Sequence, residues 1–436
     1  MVMRLHAPKL LVDLVGMDQA SIPQVWAARA ARSPDSNFLF FDGESWTYRR
    51  AWNVIGRLAG FFRSVIPGSK QLRVGSYLGN CPETLWTWFG ALQAGGVHVA
   101  LNRRHKGRLL REMIEQARLS VLVTDTVGLA ELKVFQQLGI PHVVLVDLPR
   151  SAQGAHGSGE PHSIPFEEAI LAIPYQGPSP AASDVAQLMY TSGTTGPSKA
   201  VRQPHNMFCR GAARFAQAVQ MTHTDIAHLW FPLCHIAGQL HFTMGTVLAG
   251  GAIALQRTFS ASGFWHEVAA NGCTIFGALP NVISILIDTP STRTDRSHTL
   301  RVGITGPQPP PAVKERFEER FGIGLVDTYG MTEAEPLTLP QANHRTPKGS
   351  CGRANPDFEF AVLDDVGRSR TTKQSGELAV RPRDVNLMMD GYDGQIEETL
   401  RAFKGLWFHT GDLGRIDRRG YIFCRGSPER HDPPTR

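Results

Sequence analysis

The sequence predicts an α/β protein in which helices cover parallel sheets and a smaller β-rich part follows. Between residues 72 and 125, short apolar runs alternate with segments of helical periodicity, a pattern typical of parallel sheets. From about Cys351, short apolar runs are instead separated by glycine and aspartate turns. A chain of 436 residues also exceeds the size at which one hydrophobic core keeps growing, so we expect more than one subdomain.

Local signals predict the first elements in order. Thr47 is a suitable N-cap for a helix, because apolar side chains recur at helical spacing from Trp52 to Val65. The following elements are predicted to be a strand at 72–78, a helix at 82–95 with proline in its first turn and glycine at its end, a strand at 97–101, a helix at 109–119 and a strand at 121–125.

Later elements follow the same signals. Residues 153–183 are rich in glycine, serine, proline and alanine, so they predict a surface excursion between two lobes. Beyond it we expect a strand at 188–190, a strand-helix unit at 274–287, and strands at 300–305, 324–327, 358–363, 376–380 and 414–424.

Composition and charge favour an ordinary globular protein. Hydrophobic residues make up 42% of the chain and charged residues 19%, with a formal net charge of +6. The densest basic run, 103–111, predicts a solvated helix start, and the alternative is attraction of an anionic partner such as CoA or a membrane surface. Because no aromatic side chains interleave with this run, we predict no nucleic-acid partner.

Cysteine spacing and apolar runs indicate a cytoplasmic location. The six cysteines are widely scattered without metal-ligand or redox spacing, so we expect reduced, mostly buried thiols. The apolar patch at 10–15 is short and is interrupted by Asp13, unlike a signal peptide. No apolar run is long enough to span a bilayer, so no transmembrane segment is predicted.

The stretch 188–199 predicts a strand that leads into a phosphate-binding loop. Glycines allow backbone N–H groups to converge on one point, hydroxyl side chains add donors, and a lysine adds a point charge. The loop residues are Thr191, Ser192, Gly193, Thr194, Thr195, Gly196, Pro197, Ser198 and Lys199. Only two residues separate Gly193 from Gly196, and Ala200 follows Lys199, so this is not a P-loop. From these residues alone, an ordinary surface turn remains the alternative.

Two further segments carry candidate ligand contacts. In 329–333, an aromatic side chain before a glycine suits stacking on a purine, a threonine can donate to a phosphate, and a carboxylate can hold Mg²⁺. Asp412 follows Trp407-Phe408-His409-Thr410-Gly411, and one carboxylate suits two vicinal hydroxyls. Without further context, each segment could equally be a simple turn.

Histidines near residue 235 do not predict zinc. His223, His228, His235 and His241 are spaced too irregularly for a helical metal pair. A lone histidine such as His235 is more often structural than functional, so the residues alone favour a structural role.

Five segments together resemble the adenylate-forming superfamily, which includes acyl-CoA synthetases, beetle luciferases and the adenylation domains of peptide synthetases. They occur in the family's order, at 188–199, 231–238, 306–310, 329–333 and 407–412. The resemblance covers nearly the whole chain and is strongest to an acyl-CoA synthetase; some spacing is similar to carnitine- or crotonobetaine-type CoA ligases. It implies the acyl-CoA synthetase-like fold of the large N-terminal domain over residues 1–426, with two parallel-sheet α/β subdomains at about 1–180 and 181–350 and a small β-rich subdomain at 351–426.

The resemblance also implies a role for each candidate residue. Thr191 to Gly196 and Lys199 would bind ATP phosphates, Gly306 would flank the adenine, and Tyr329 would stack on it. Thr332 would contact the α-phosphate, Asp412 the ribose hydroxyls, and Glu333 would hold Mg²⁺; Thr332, Glu333 and Lys199 are the implied catalytic residues. His235 and Gly238 would line the acyl pocket. Amino-acid-activating members usually carry an aspartate in this segment, so His235 implies a carboxylic acid without an α-amino group. The glycine of the usual Gly-Ala-Pro is kept in Gly306-Pro307-Gln308, but its neighbours differ.

The implied function is ligation of a carboxylic acid to CoA, as in fatty acid metabolism. ATP and Mg²⁺ would give an acyl adenylate, and CoA would then displace AMP. After residue 426 the resemblance stops: Ser427 stands where the family usually has arginine, and 427–436 predicts a disordered polar tail without the C-terminal lid domain. We therefore expect slow or absent turnover. The alternatives are a catalytically degenerate module that binds a nucleotide or acyl adenylate, and a frameshifted gene for an ordinary ligase.

Overall fold

The computed structural model describes residues 20–68, 71–133, 139–147, 162–191, 198–293, 295–341, 346–371 and 374–426. The strands, in chain order, are β1 Asn37–Phe41, β2 Glu44–Thr47, β3 Arg73–Tyr77, β4 Val97–Ala100, β5 Val121–Thr124, β6 His142–Leu145, β7 His162–Pro165, β8 Val185–Tyr190, β9 Ala200–Pro204, β10 Ile226–Leu229, β11 Ala252–Leu255, β12 Ile275–Ala278, β13 Val302–Thr305, β14 Gly324–Asp327, β15 Thr338–Leu339, β16 Arg353–Ala354, β17 Phe358–Leu363, β18 Gly376–Pro382, β19 Gly391–Tyr392, β20 Phe403–Lys404, β21 Trp407–Ile416 and β22 Ile422–Gly426.

Helices connect most of the parallel strands. They are α1 Ile22–Arg32, α2 Tyr48–Val65, α3 Pro82–Gln93, α4 Gly107–Ala117, α5 Thr126–Lys133, α6 Phe166–Ala169, α7 His205–Ala218, a π-helical segment Ala237–Met244, α8 Gly245–Ala249, α9 Phe264–Asn271, α10 Pro280–Ile287, α11 Pro311–Phe321 and α12 Ile396–Ala402. Within the described ranges, no helix is both long and apolar enough to cross a membrane.

Two large, mainly parallel sheets form the body of the protein. The seven-stranded sheet has the order β14-β13-β12-β10-β11-β1-β2, and all neighbours are parallel except β1 and β2. The eight-stranded sheet has the order β19-β9-β8-β4-β3-β5-β6-β7, with parallel pairing from β8 to β7 and antiparallel pairing of β9 and β19 at the other edge.

Helix α3 carries much of the core because it is apolar on every side. Its residues from Thr84 to Leu92 are all buried, which is typical of a helix enclosed by other elements. Trp86 contacts Phe38 of the seven-stranded sheet, with 6.3 Å between ring centroids. Trp88 stacks on Phe89 at 4.3 Å, within the same hydrophobic cluster as Val74 of β3 in the eight-stranded sheet. The helix therefore joins the two sheets through one continuous core.

The C-terminal part is a curled antiparallel sheet. Its order is β17-β18-β21-β20, and β22 pairs with the C-terminal end of β21, residues 413–416. Asp357, immediately before β17, connects this sheet to helix α7: its two carboxylate oxygens lie 2.9 Å from Arg210 Nε and 2.7 Å from Arg214 Nη2. The carboxylate is only 5% exposed, so these two arginines provide most of its charge compensation.

The predicted fold class is confirmed, and several predicted elements match closely. Helix α2 begins after Thr47, whose hydroxyl accepts a hydrogen bond from Arg50 N at 3.2 Å. The strands predicted at 72–78, 97–101 and 121–125 correspond to β3, β4 and β5, and the helices between them to α3 and α4.

Three expectations need correction or qualification. Residues 153–183 are not wholly a surface excursion, because β7 pairs with β6 and Phe166 of α6 is buried. The strand predicted at 414–424 is wrong: two antiparallel strands, β21 and β22, meet there at a turn. The subdomain boundaries at about residues 180 and 350 remain a prediction. Each of the two large sheets contains strands from more than one of the predicted subdomains. β1 and β2 complete the sheet formed by 226–327, and β19 joins the sheet formed by 73–204. Pairing partners far apart in the chain leave no local sequence signal.

The Asp357 contacts predict a pH-dependent contribution to stability. Burial alone would raise its pKa, but hydrogen bonds from Arg214 and Arg210 lower the pKa of Asp357 to about 2. A carboxyl pKa lowered by folding adds stability that is complete above its unfolded value of about 4 and is lost as the pH falls towards 2. We expect Asp357→Asn to lower the free energy of unfolding by about 2 kcal/mol at pH 7.

Denaturant unfolding at several pH values tests this. The difference between the variant and the unaltered chain should narrow below pH ~4. Asp365→Asn, on the exposed turn after β17, is the matched control and should change stability by less than about 0.5 kcal/mol. A difference for Asp357→Asn that is independent of pH would contradict the account.

Candidate active site

The candidate site lies where one strand of the eight-stranded sheet and two strands of the seven-stranded sheet end. Strand β8 ends at Tyr190, directly before Thr191, while β13 and β14 end at Thr305 and Asp327. In open α/β sheets, ligands bind in the crevice beyond the carboxyl ends of the strands. The predicted phosphate loop, the predicted adenine-flanking glycine and the 329–333 turn all follow such strand ends.

The ends of β13 and β14 are held together by polar contacts. Thr305 Oγ1 donates a hydrogen bond to the buried Asp327 carboxylate, whose other oxygen lies 2.6 Å from Lys314 Nζ. A Cβ atom on Gly306 would lie 3.1 Å from the carbonyl oxygen of Thr328, closer than most Cβ contacts. The absence of a side chain at Gly306 therefore lets the two turns approach each other.

Tyr329 joins the turn after β14 to the C-terminal sheet. Its hydroxyl donates to Asp412 Oδ2 at 2.9 Å, and its backbone N–H donates to Thr338 Oγ1 at 2.8 Å. Asp412 is 7% exposed, and its own N–H donates to Thr410 Oγ1 at 3.1 Å. Burial, and then the Asp412 charge, raise the pKa of Tyr329 well above its ordinary value, so the hydroxyl stays protonated and acts as a donor.

Glu333 places a carboxylate in a poorly solvated part of the site. It is 6% exposed, and its Oε1 accepts a hydrogen bond from Tyr392 OH at 2.8 Å. Burial raises the pKa of Glu333; the Tyr392 hydrogen bond and the Lys199 charge oppose that shift, while the Asp412 charge adds to it. The charges of Lys199 and Asp412 therefore both act on the Glu333 carboxylate, in opposite directions.

Lys199 lies at the base of the predicted phosphate loop. Its carbonyl accepts a hydrogen bond from Thr191 N at 3.0 Å, which brings the two ends of the loop together. Its ammonium lies 2.7 Å from Glu398 Oε2 and 4.9 Å from the centroid of the Tyr392 ring. The loop residues between these ends, Ser192, Gly193, Thr194, Thr195 and Gly196, lie outside the described residues.

The predicted acyl segment is held by Asn80, a residue that the sequence did not indicate. The Asn80 amide nitrogen lies 3.0–3.2 Å from the carbonyls of Trp230, Phe231 and Gln256, and its oxygen accepts from Leu233 N at 2.9 Å. These bonds fix the chain after β10 against the end of β3.

His235 and Gly238 lie on this segment. His235 Nε2 is 3.4 Å from Asn102 Nδ2, and desolvation, followed by the charges of His105 and Arg104, lowers the pKa of His235 although its surface is partly exposed. Gly238 is buried in the π-helical segment, where a Cβ atom would lie 3.1 Å from Pro232 O. π-helical segments are rare overall but are frequent at functional sites.

The structure brings together several of the predicted site residues that lie in the described part of the chain. Hydrogen bonds and charge interactions connect Tyr329 with Asp412 and Glu333 with Lys199, and Thr332 adjoins Glu333. Within the described residues, no three His, Cys, Asp or Glu side chains gather as a metal cage. Magnesium in nucleotide sites is commonly held by one or two carboxylates together with substrate phosphates and water, and Glu333 fits that role.

Sequence reasoning missed the residues that support the cluster. Tyr392 and Glu398 contact the predicted site residues Glu333 and Lys199, and Asn80 binds Leu233 in the predicted acyl segment. These three supporting residues belong to no recognisable motif. Each comes from a separate part of the chain, so only the tertiary structure identifies it.

A lysine, a buried carboxylate and an aromatic side chain beyond the strand ends of parallel sheets are typical of a nucleotide-binding α/β enzyme. The chain belongs to the AMP-binding enzyme family, whose sequence profile matches residues 26–392, and the predicted membership of the adenylate-forming superfamily is confirmed.

Curated and structural relatives agree with this family. The crotonobetaine/carnitine-CoA ligase of Salmonella typhi is 28% identical over 424 residues, covering 94% of this chain and 80% of that protein. The anthranilate CoA ligase AuaEII in complex with anthranoyl-AMP has a TM-score of 0.84 at 18% identity, over 94% of this chain and 78% of that one. ATP-bound MatB from Rhodopseudomonas palustris has a TM-score of 0.80 at 22% identity, over 93% and 78%. At these identities, the structural matches establish a shared fold.

The buried Glu333 carboxylate predicts a conflict between stability and function. Because folding raises the pKa of Glu333, ionisation opposes folding. This penalty grows as the pH rises from the unfolded pKa of about 4 to the folded pKa, and it is complete above the folded pKa. We expect Glu333→Gln, which can still accept the Tyr392 hydrogen bond, to be more stable than the unaltered chain at pH 8 without ligand. The gain should be smaller at pH 5.

Thermal or denaturant unfolding at both pH values measures this gain. Glu397→Gln, at an 87%-exposed side chain on α12, is the control and should leave stability nearly unchanged. Lower stability of Glu333→Gln at pH 8 would show that the ionised carboxylate stabilises the fold.

Proposed function

We propose that this chain activates a carboxylic acid with ATP, forming an acyl adenylate and pyrophosphate, and that CoA then displaces AMP to give the thioester. The observation that carries this proposal is the connected cluster of Tyr329, Asp412, Glu333 and Lys199 at the strand ends. Family membership and the named activities of the relatives support the same reaction.

The adenosine would bind between the two parts of the protein that Tyr329 joins. The Tyr329 ring would offer a face for the adenine, and Gly306 would flank the base from the neighbouring strand end. Asp412, kept as an acceptor beside the Tyr329 hydroxyl, would accept hydrogen bonds from the ribose hydroxyls.

The phosphates would bind along the loop that begins at Thr191. Lys199 would exchange its Glu398 partner for phosphate oxygens, and both groups are partly exposed, so this exchange needs little desolvation. The Thr332 hydroxyl would contact the α-phosphate. Glu333 would hold Mg²⁺, which when bound supplies positive charge to the phosphate oxygens.

The acid would lie along the segment that Asn80 holds. Phe231 stacks on Trp230 at 4.6 Å and on Phe242 at 5.7 Å, which gives this region an aromatic wall. His235, rather than an acidic residue, supports an acid without an α-amino group. The oxygen of the acid would attack the α-phosphorus, so the chain's contribution is mainly orientation and charge stabilisation.

The proposal predicts acid-dependent release of pyrophosphate from ATP. A panel of short, branched, aromatic and betaine-type acids would be tested with Mg²⁺, and hydroxylamine would trap the adenylate. Trapping serves as the sensitive measurement of adenylate formation. We expect Lys199→Ala and Asp412→Ala each to lower kcat/KM by about 100-fold, because each removes a contact to a charged or polar part of the nucleotide.

Lys348→Ala is the matched control, because Lys348 is 77% exposed and pairs with Glu315 at the surface. It should retain full activity. Binding of ATP without pyrophosphate release for any acid would contradict the enzyme proposal and favour the nucleotide-binding module.

A further inference from the structure

Buried polar side chains form a hydrogen-bonded relay between the strands that lead to the site. Gln187 of β8, Gln203 of β9 and His98 of β4 are 0% exposed, and Gln239 of the π-helical segment is 1% exposed. Polar groups at such positions are costly unless hydrogen-bonded, and apolar side chains would fill the same volume without that cost.

The relay begins at a neutral histidine. His98 Nδ1 lies 3.0 Å from Gln187 Oε1, which can only accept, so Nδ1 donates and Nε2 accepts from Ser76 Oγ at 2.8 Å. Burial lowers the pKa of His98 to about 4, although the hydrogen bond with Gln187 opposes the shift. At neutral pH the whole relay is therefore uncharged.

Gln187 divides the relay into two branches. Its amide nitrogen donates one hydrogen to Gln203 Oε1 at 2.9 Å and the other to Gln239 Oε1 at 2.6 Å. From Ser76 onwards, each side chain accepts a hydrogen bond from the preceding group and donates one to the next. Hydrogen bonds aligned in this way strengthen one another.

The two branches end on different parts of the candidate site. Gln203 Nε2 donates to the carbonyl of Thr332 at 2.6 Å, within the turn between Tyr329 and Glu333. Gln239 Nε2 donates to the carbonyl of Leu233 at 2.7 Å, within the segment that precedes His235. Gln187, in the strand that precedes the phosphate loop, thus connects the 329–333 turn with the predicted acyl segment.

We propose that Gln203 is a positioning residue for the nucleotide turn, that Gln239 is a positioning residue for the acid segment, and that Gln187 couples the two. This inference rests on the proposed function. The Gln203 bond fixes the Thr332 carbonyl, and with it the direction of the Thr332 hydroxyl and the adjacent Glu333 carboxylate. The hydrogen bonds of this relay fix the carbonyls of Thr332 and Leu233 relative to each other, which apolar side chains in the same positions could not do.

The test compares Gln203→Met with Gln239→Met. Each variant keeps a side chain of similar length, leaves one Gln187 N–H without an acceptor and frees one backbone carbonyl, so the two should lose similar stability. Calorimetric titration with ATP and Mg²⁺ is expected to show about tenfold weaker binding for Gln203→Met and less than about twofold weaker binding for Gln239→Met.

Melting temperatures measured on the same samples separate positioning from general loosening of the core. Equal losses of ATP affinity in both variants, or none in either, would overturn the relay while leaving the proposed function intact. Failure of the unaltered, folded chain to bind ATP would overturn the proposed function, and this inference with it.

A second, more conservative variant tests the same role if Gln203→Met does not fold. In Gln203→Glu, the carboxyl group can donate to the Thr332 carbonyl only while it is protonated. The ratio of the ATP affinity of this variant to that of the unaltered chain should be close to one at low pH. The ratio should fall as the pH rises. An affinity ratio that is independent of pH would contradict a donor role for residue 203.

Discussion

The parallel pairing of β13 with β14 determines where the site forms. Thr305 pairs with Asp327 at the last position of both strands, and their side chains are hydrogen-bonded. Both turns must therefore leave the sheet at the same edge, which brings Gly306 against Thr328. The position of Tyr329, and through it of Asp412 in the C-terminal sheet, depends on this register.

The charges around this edge are arranged for a ligand rather than for the free protein. Glu333 is buried within range of the Asp412 charge, and the Tyr392 hydrogen bond, a backbone hydrogen bond and the Lys199 charge offset that unfavourable placement only in part. Lys199 itself is paired with Glu398, a residue of a short helix without buried side chains. Carboxylates with a raised pKa, such as Glu333, concentrate at functional sites, because bound phosphates and a cation can satisfy charges that the protein leaves poorly solvated.

Local sequence predicted the elements whose signals are local. The capped helix after Thr47, the strands β3 to β5 and the residues of the 329–333 turn follow from periodicity and motif. Local signals do not predict pairing across distant segments, so the sequence predicts a surface excursion where β7 forms and one strand where β21 and β22 form a hairpin. The supporting site residues escaped for the same reason: Asn80 and Tyr392 act through contacts with segments far away in the sequence.

The central claim is that these strand ends form one adenylate site, and binding of a non-reactive adenylate tests it most directly. Calorimetric titration would use 5′-O-(N-acetylsulfamoyl)adenosine, whose small acyl group suits a pocket of any length. The account predicts saturable binding to the folded chain, weakened about tenfold or more in Asp412→Ala and unchanged in the exposed-site control Asp365→Ala. Equal affinity of Asp412→Ala and the unaltered chain, or no binding by either, would contradict it.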